Sequence, residues 1–284
     1  MRLRLAYSPC PNDTHVFHAM VHGLVDCEGL SFETRLTDVE ELNKGAASSK
    51  YDICKLSYHA YFHVNDKYVM LRSGSALGYC NGPLLVSPSG SMAFDNDGNP
   101  RSDSISNNTV LIPGDYTTAA LLLKIAFPKI SRTRAVLFSS IENELLAGKA
   151  MSGVLIHETR FTYRERGLSL IADLGEQWQA ISGLPIPLGG IAVSRELGRD
   201  TALKIGRVLK RSILYAAGNP QASGDYVRLH AREMDPTVLE KHIKMFVNNY
   251  TTEIGETGEK AVNALFEHTL KIYPELKRNN NLFI

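Results

Sequence analysis

Residues 109–127 read TVLIPGDYTTAALLLKIAF, in which a short apolar strand passes through a Pro-Gly turn into an apolar helix. A strand followed directly by a helix is the unit from which parallel α/β sheets are built. The same order occurs at 2–25, where RLRLAYS precedes DTHVFHAMVHGLV with Asp13 as the expected N-cap, and again at 135–150. The chain is therefore predicted to have an α/β fold with two such series, followed by helices from about residue 199 to the end.

The two series are separated by SMAFDNDGNPRSDSISNN, residues 91–108, which is rich in Asn, Asp, Ser and Gly. This composition is typical of an exposed loop or a hairpin tip. The chain contains no internal sequence repeat, but the two series of strands and helices predict two similar lobes.

Hydrophobic residues make up 44% of the 284-residue chain and charged residues 21%, as in soluble globular proteins. The 31 basic and 30 acidic residues nearly cancel, so no charge excess favours nucleic acid or a membrane surface as a partner. The four cysteines include no C-x-x-C pair, which argues against a disulfide framework or a zinc site and suits a reducing compartment. The N-terminal residues lack the apolar core of a secretory signal, and we expect a cytoplasmic protein that binds a small molecule.

Polar residues follow several of the predicted strands at the point where each strand ends. Ligands of open α/β sheets bind at the carboxyl ends of the strands, and these residues are therefore the candidate site. They are Ser8 after the first strand, Lys55 and Ser57 at the end of the third, Thr117–Ala119 after TVLIP, and His157 after GVLI.

Each residue type points to a particular chemistry. The helix that opens at Thr118–Ala119 presents backbone N–H groups and a positive dipole end, which suit a carboxylate or a phosphate. Ser57 is a hydrogen-bond donor for a ligand oxygen, and Lys55 can neutralise an anion. A histidine has an ordinary pKa of about 6.5, so a neutral His157 can accept a proton near physiological pH.

Each of these residues also has a purely structural interpretation. The threonines at the helix start are ordinary capping residues, and Ser57 can satisfy a turn. Lys55 can be a solvated charge, and a lone histidine after a strand is more often a structural hydrogen-bonding group than a base. The residue types alone leave both interpretations open.

Histidines recur at helical spacing in two places, at 15, 18 and 22 and at 59 and 63. This spacing can bring imidazoles onto one helix face for a metal ion, but the Glu of an H-E-x-x-H motif and a supporting cysteine cluster are missing. We therefore expect locally bonded or solvent-facing histidines and no metal site.

Several motifs carry a resemblance that spans nearly the whole chain. They are SPCPNDT (8–14), KLSY (55–58), LRSGSALG (71–78), TTA (117–119), IHETRFTY (156–163) and LPIPLGGI (184–191). In this order they resemble the 1,4-dihydroxy-6-naphthoate synthases of the futalosine route to menaquinone.

The resemblance implies a two-lobed fold like that of the type II periplasmic binding proteins. Lobe 1 would comprise residues 1–87 and 191–284, and lobe 2 the inserted residues 88–190, which carry Thr118 and His157. GPLLVSP and PLGGIAV would be the two hinge-crossing strands.

The resemblance also implies a carbon–carbon lyase that needs neither a metal nor an organic cofactor. It would convert cyclic dehypoxanthine futalosine, a small carboxylate, to 1,4-dihydroxy-6-naphthoate with release of a three-carbon fragment. The family's catalytic base falls on His157, and its substrate contacts fall on Asn43, Lys55, Leu56, Ser57, Thr118 and Ala119. Glu158 is not assigned a role, because adjacent strand residues point to opposite faces.

Two other functions are compatible with the same architecture. A solute-binding protein of a transporter would perform no chemistry, but it requires export. The chorismate dehydratase of the same pathway is an enzyme on a related fold, and the motifs SPCPND and IHETRFTY favour the synthase over it.

Overall fold

The computed structural model describes residues 1–90, 108–231, 235–279 and 281–284. The predicted loop at 91–108 lies, except for Asn108, outside the described residues. Two compact units make up the chain. Unit 1 comprises Met1–Gly78 and Pro187–Ile284, and unit 2 comprises Tyr79–Ile186.

The strands of the described residues are short and are numbered in chain order. They are β1 (Arg2–Tyr7), β2 (Ser31–Leu36), β3 (Ile53–Ser57), β4 (Tyr68–Met70), β5 (Ala76–Gly78), β6 (Leu84–Pro88), β7 (Val110–Ile112), β8 (Thr133–Ala135), β9 (Ser152–Leu155), β10 (Leu168–Asp173) and β11 (Ile186–Ser194).

The α-helices are numbered in the same way. They are α1 (Pro11–Val21), α2 (Val39–Ala47), α3 (Tyr58–His63), α4 (Thr118–Ala126), α5 (Ile141–Leu146), α6 (Thr159–Thr162), α7 (Leu174–Ser182), α8 (Arg199–Gly218), α9 (Gly224–His230), α10 (Pro236–Phe246), α11 (Asn249–Thr252) and α12 (Gly255–Ile272). Short 3₁₀ turns at Phe138–Ser140 and Arg195–Leu197 precede α5 and α8. Within the described parts of the chain, no helix is both long and apolar enough to cross a membrane.

Unit 1 is built on a mixed sheet with the strand order β2-β1-β3-β11-β4, and β5 pairs with β11. β1 is parallel to β2 and β3, whereas β11 is antiparallel to β3 and β4. The core joins this sheet to α1 and α8 through Leu5, Phe17, Ile53, Ile191 and Leu209. Burying a side chain of this size contributes roughly 1.5–3 kcal/mol, so the sheet and the two helices stabilise one another.

Helix α1 begins at Pro11 and its N-cap position is Cys10, so the expected N-cap role of Asp13 is wrong. Proline is favoured at the first helical position, because its fixed φ suits the helix and its missing N–H is one that the first turn leaves without a helical acceptor. Asp13 therefore lies within the helix, where its carboxylate accepts a hydrogen bond from Ser8 Oγ at 2.7 Å.

Unit 2 is built on a five-stranded sheet with the order β10-β6-β9-β7-β8. β7 is parallel to β8 and β9, whereas β6 is antiparallel to β9 and β10. Because β6 pairs with β9 and β10, it belongs to unit 2 and not to lobe 1 as predicted. The first boundary therefore lies at residues 78 and 79 and not at 87 and 88, and the second lies at 186 and 187 and not at 190 and 191.

The core of unit 2 depends on a close approach between α5 and β9. Gly153 faces this helix, and a Cβ atom added there would lie 2.8 Å from Ile141 Cγ2. Leu111 and Leu155 fill the same core from β7 and β9. In α7, Trp178 is almost fully buried and donates from Nε1 to Pro185 O at 3.1 Å, which fixes the helix to the chain that follows it.

Candidate active site

In unit 2, the register of the sheet brings two of the candidate segments to one edge. β7 and β9 are parallel neighbours, with Leu111 opposite Gly153. Adjacent strands lie about 4.8 Å apart, so the segments that leave their carboxyl ends start side by side. These segments carry Thr118–Ala119 and His157.

The helix α4 presents its N-terminus at this edge. Thr117 is its N-cap, and its Oγ1 accepts from Ala120 N at 3.2 Å and donates to Gly114 O at 2.8 Å. Thr118 and Ala119 are both buried in the first turn, where the geometry of an α-helix supplies no intrahelical acceptor for the amides. The first turn of α4 is therefore suited to an anionic oxygen.

His157 has an unusual backbone conformation, with φ of 60°. Residues other than Gly, Asn and Asp rarely adopt the left-handed backbone conformation, which costs roughly 1–2 kcal/mol. His157 adopts this conformation in the turn between the end of β9 and the start of α6. Strain of this kind is concentrated at functional sites, where the surrounding structure maintains it.

The imidazole of His157 is half-buried and packs against an aromatic ring. The centroid of Phe138 lies 4.9 Å from that of His157, with the planes at 66°. This edge-to-face contact restricts the orientation of the imidazole. Phe138 was not predicted as a site residue, because it lies in the segment AVLFS, which reads as an ordinary core strand.

Two buried glutamates lie in the same unit. Burial raises the pKa of Glu142, Arg166 at 3.6 Å opposes the rise, and the charge of Glu158 adds to it. Glu158 follows His157 directly and is also buried.

In unit 1, Lys55 forms an ion pair that the sequence did not indicate. Its Nζ lies 3.0 Å from Asp13 Oδ1, and the two residues are 8% and 1% exposed. Asn12 Nδ2 donates to the same carboxylate at 2.9 Å, and His242 Nε2 contacts Asn12 Oδ1 at 3.0 Å. Lys55 is therefore a buried, paired charge and not a solvated one.

Asn43 and Ser57 form a reciprocal pair next to this network. Asn43 Oδ1 accepts from Ser57 N at 3.1 Å, and Asn43 Nδ2 donates to Ser57 Oγ at 3.2 Å. Leu56 between Lys55 and Ser57 is fully buried. Gly189 allows the neighbouring strand to approach, since a Cβ atom added there would lie 2.6 Å from Leu56 O. Of the predicted substrate contacts in unit 1, Lys55, Leu56 and Ser57 are therefore buried in β3. Asn43 is hydrogen-bonded to that strand through Ser57.

Three of the histidines at helical spacing make local contacts. His15 is buried, its Nδ1 lies 2.7 Å from Ser223 Oγ, and burial lowers its pKa. His59 Nε2 and His63 Nε2 lie 3.3 Å apart. In the part of the chain that the structure describes, no group of three or more His, Cys, Asp or Glu side chains is arranged to hold a metal ion.

Comparison with known proteins gives a consistent assignment. The family described as menaquinone biosynthesis matches residues 3–271. A 1,4-dihydroxy-6-naphthoate synthase from Thermus thermophilus is 39% identical over 264 residues, which is 93% of this chain and 92% of the relative. A protein of the same name from Streptomyces coelicolor is 36% identical over 268 residues, with coverage of 93% and 91%.

Solved structures identify the fold. Protein AF1704 from Archaeoglobus fulgidus superposes with a TM-score of 0.87 at 30% identity, covering 97% of this chain and 98% of that one. The alkanesulfonate-binding protein SsuA from Xanthomonas axonopodis superposes with a TM-score of 0.69 at 12% identity, with coverage of 98% and 94%. The predicted periplasmic-binding-protein-like α/β fold is thereby confirmed. Since the family match and both named relatives extend over nearly the whole chain, this protein is an enzyme that belongs to the 1,4-dihydroxy-6-naphthoate synthase family of menaquinone biosynthesis.

Proposed function

We propose that this enzyme converts cyclic dehypoxanthine futalosine to 1,4-dihydroxy-6-naphthoate and a three-carbon sugar fragment, and that it is a carbon–carbon lyase. The observation that supports this most directly is the edge of the unit 2 sheet, where His157 and the N-terminus of α4 follow neighbouring parallel strands. A base can abstract the proton, and an anion-binding helix end can hold the carboxylate of the substrate.

The substrate carboxylate binds at Thr118 and Ala119, where the helix dipole and first-turn amides favour negative charge. In unit 1, the further substrate contacts that we propose are Asn43, Lys55, Leu56 and Ser57. Lys55 carries its positive charge in a buried setting, where electrostatic interactions with a ligand are stronger than in water.

The chemistry begins with His157 as a neutral base. It removes a proton from the carbon next to a carbonyl group, and the electron pair moves onto the carbonyl oxygen. As this pair returns from the oxygen to form a new carbon–carbon double bond in the ring, the adjacent carbon–carbon bond breaks with its electrons on the sugar remnant, which takes the proton from the imidazolium and returns His157 to its neutral form. Formation of the second aromatic ring drives the sequence forward. No disulfide joins the four cysteines, all of which lie among the described residues, and we propose that the reaction takes place in the reducing cytoplasm.

The test uses His157→Asn, because asparagine tolerates the left-handed backbone that this position requires. We expect wild-type protein to form naphthoate, and His157→Asn to lower kcat by about 10²–10⁴-fold, which is the contribution of a general base. Affinity for 1,4-dihydroxy-6-naphthoate should change little. Product formation is followed by chromatography.

Ser49→Asn is the matched control, because Ser49 also has a positive φ, of 54°, and is exposed at the end of α2. It should leave kcat unchanged. Turnover of His157→Asn within threefold of wild type would remove His157 as the base. Wild-type protein that binds naphthoate without making it is a binding protein, and one that consumes chorismate instead is a dehydratase; either result contradicts the proposed function.

A further inference from the structure

Asn81 carries a buried amide group whose hydrogen-bonding capacity the fold does not use. The residue is 2% exposed, and neither Oδ1 nor Nδ2 has a hydrogen-bond partner among the described residues. A primary amide has two N–H donors and a carbonyl acceptor, and burying it without partners destabilises a protein. Buried groups of this kind are rare in folded proteins, and each one calls for an explanation.

The sheet register places Asn81 at the same edge as the proposed base. β6 and β9 are antiparallel, with Leu84 opposite Leu155. The start of β6 therefore lies beside the end of β9. Asn81 lies three residues before Leu84, and His157 lies two residues after Leu155.

The backbone on both sides of Asn81 is held in place by Arg160. Its guanidinium donates to Gly82 O at 2.5 Å and to Cys80 O at 3.0 Å, and it lies 3.4 Å from Asp173 Oδ2. Arg160 belongs to α6, the helix that follows His157. One side chain thus connects the segment that carries the amide with the segment that carries the imidazole.

Close backbone packing adds to this constraint. A Cβ atom added to Gly82 would lie 2.4 Å from both Gly175 Cα and Gly175 N, at the start of α7. Asp173 caps the same helix, and its Oδ1 accepts from Gly175 N at 2.8 Å. The main chain at 80–82 is therefore fixed by a guanidinium and by a helix end, so the backbone that carries the Asn81 side chain is set in advance of any ligand.

We propose that Asn81 is a substrate-binding residue whose Nδ2 donates a hydrogen bond to the carbonyl oxygen of the substrate, and that Arg160 is its positioning residue. This inference rests on the proposed function. When His157 removes the proton, the electron pair moves onto that oxygen, and a preorganised N–H donor in a buried site stabilises the resulting enolate. An amide suits this role because it remains neutral and does not compete with His157 for the proton.

The test compares Asn81→Ala and Asn81→Asp with Ser152→Ala. Ser152 is the matched control, because its buried Oγ also has no partner among the described residues but lies at the opposite end of β9. With cyclic dehypoxanthine futalosine as substrate, we expect both Asn81 variants to lower kcat by about 10²-fold, the effect of removing one oxyanion donor. Ser152→Ala should retain the wild-type kcat. The thermal midpoint of Asn81→Ala should not fall below that of wild type, since no hydrogen bond of the fold is lost.

A double-mutant cycle tests the role of Arg160. If Arg160 acts through Asn81, Arg160→Met lowers kcat in the wild-type background and has little further effect in the Asn81→Ala background. If the two substitutions instead lower kcat additively, Arg160 does not act through Asn81. A kcat and KM of Asn81→Ala within threefold of wild type overturn the inference for Asn81 alone, whereas wild-type protein that forms no naphthoate overturns the proposed function and the role of Asn81 with it.

Discussion

In unit 1 the buried ammonium of Lys55 and the buried carboxylate of Asp13 lie 3.0 Å apart, and Asn43 and Ser57 bond to each other. In unit 2 the buried amide of Asn81 has no partner within the residues that the structure describes. Polar groups that bond to one another stabilise the fold, whereas an unused group destabilises it. Substitutions in the unit 1 network should therefore reduce stability, and substitutions at the unit 2 edge should reduce activity while stability is retained.

The most severe test of this contrast removes one partner of the buried ion pair. Lys55→Met leaves Asp13 as an uncompensated buried charge, and we expect the free energy of unfolding to fall by about 3 kcal/mol. This is the lower end of the usual range, because Ser8 and Asn12 still donate to the carboxylate. Urea unfolding followed by far-ultraviolet circular dichroism gives the value.

Lys44→Met serves as the control for that measurement. Lys44 is exposed, and its Nζ lies 3.9 Å from Glu40 Oε1 one helical turn away, an i,i+4 pair that contributes less than about 0.5 kcal/mol. A loss below about 1 kcal/mol for Lys55→Met would show that the buried pair does not stabilise unit 1.

A smaller effect, on binding, is expected at the unit 2 edge. Thr118→Val keeps the shape of the side chain but removes its hydroxyl, and we expect the affinity for 1,4-dihydroxy-6-naphthoate to fall about tenfold, the effect of one hydrogen bond to a carboxylate. Isothermal titration calorimetry measures the change. An unchanged affinity would show that the Thr118 hydroxyl does not bind the carboxylate.

The smallest effect is a pH dependence that belongs to unit 1. Burial lowers the pKa of His15, so the folded protein favours the neutral ring. The stabilisation is fully present above about pH 6.5, the ordinary pKa in the unfolded chain, and is lost as the pH falls below it, because the unfolded state then binds the additional proton. His15→Gln should show a weaker decrease in the thermal midpoint between pH 7 and pH 5 than wild type. Equal decreases in the two proteins would contradict a buried, neutral His15.

The architecture and the unit 2 segments could be predicted from local patterns. TVLIPGDYTTAALLLKIAF specifies strand, turn and helix within 19 residues, and His157 follows an apolar strand, so both positions can be identified without knowledge of distant contacts. Asp13 was misplaced as a cap although Pro11 at the first helical position was the signal for the true start. The lobe boundary was misplaced because β6 is apolar throughout, and such a strand fits the sheet of either unit.

The long-range contacts could not be predicted from one sequence. Lys55 and Asp13 are separated by more than forty residues, and Arg160 reaches Gly82 across 78. Asn81 stands in the segment CNGP, where an asparagine before glycine reads as an ordinary turn residue. Only the pairing of β6 with β9 shows that this turn shares an edge with His157.

Trp178 is the only tryptophan of the chain, and it is buried in α7, the helix whose first turn packs against Gly82. Fluorescence of Trp178, excited at a wavelength that tyrosine does not absorb, therefore reports on unit 2 alone. Far-ultraviolet circular dichroism reports on the helices of both units. Recorded together during denaturation, the two signals tell whether the chain melts in one cooperative transition or in two. Trp178 is therefore an intrinsic fluorescent probe in the helix that packs beside the segment that carries Asn81.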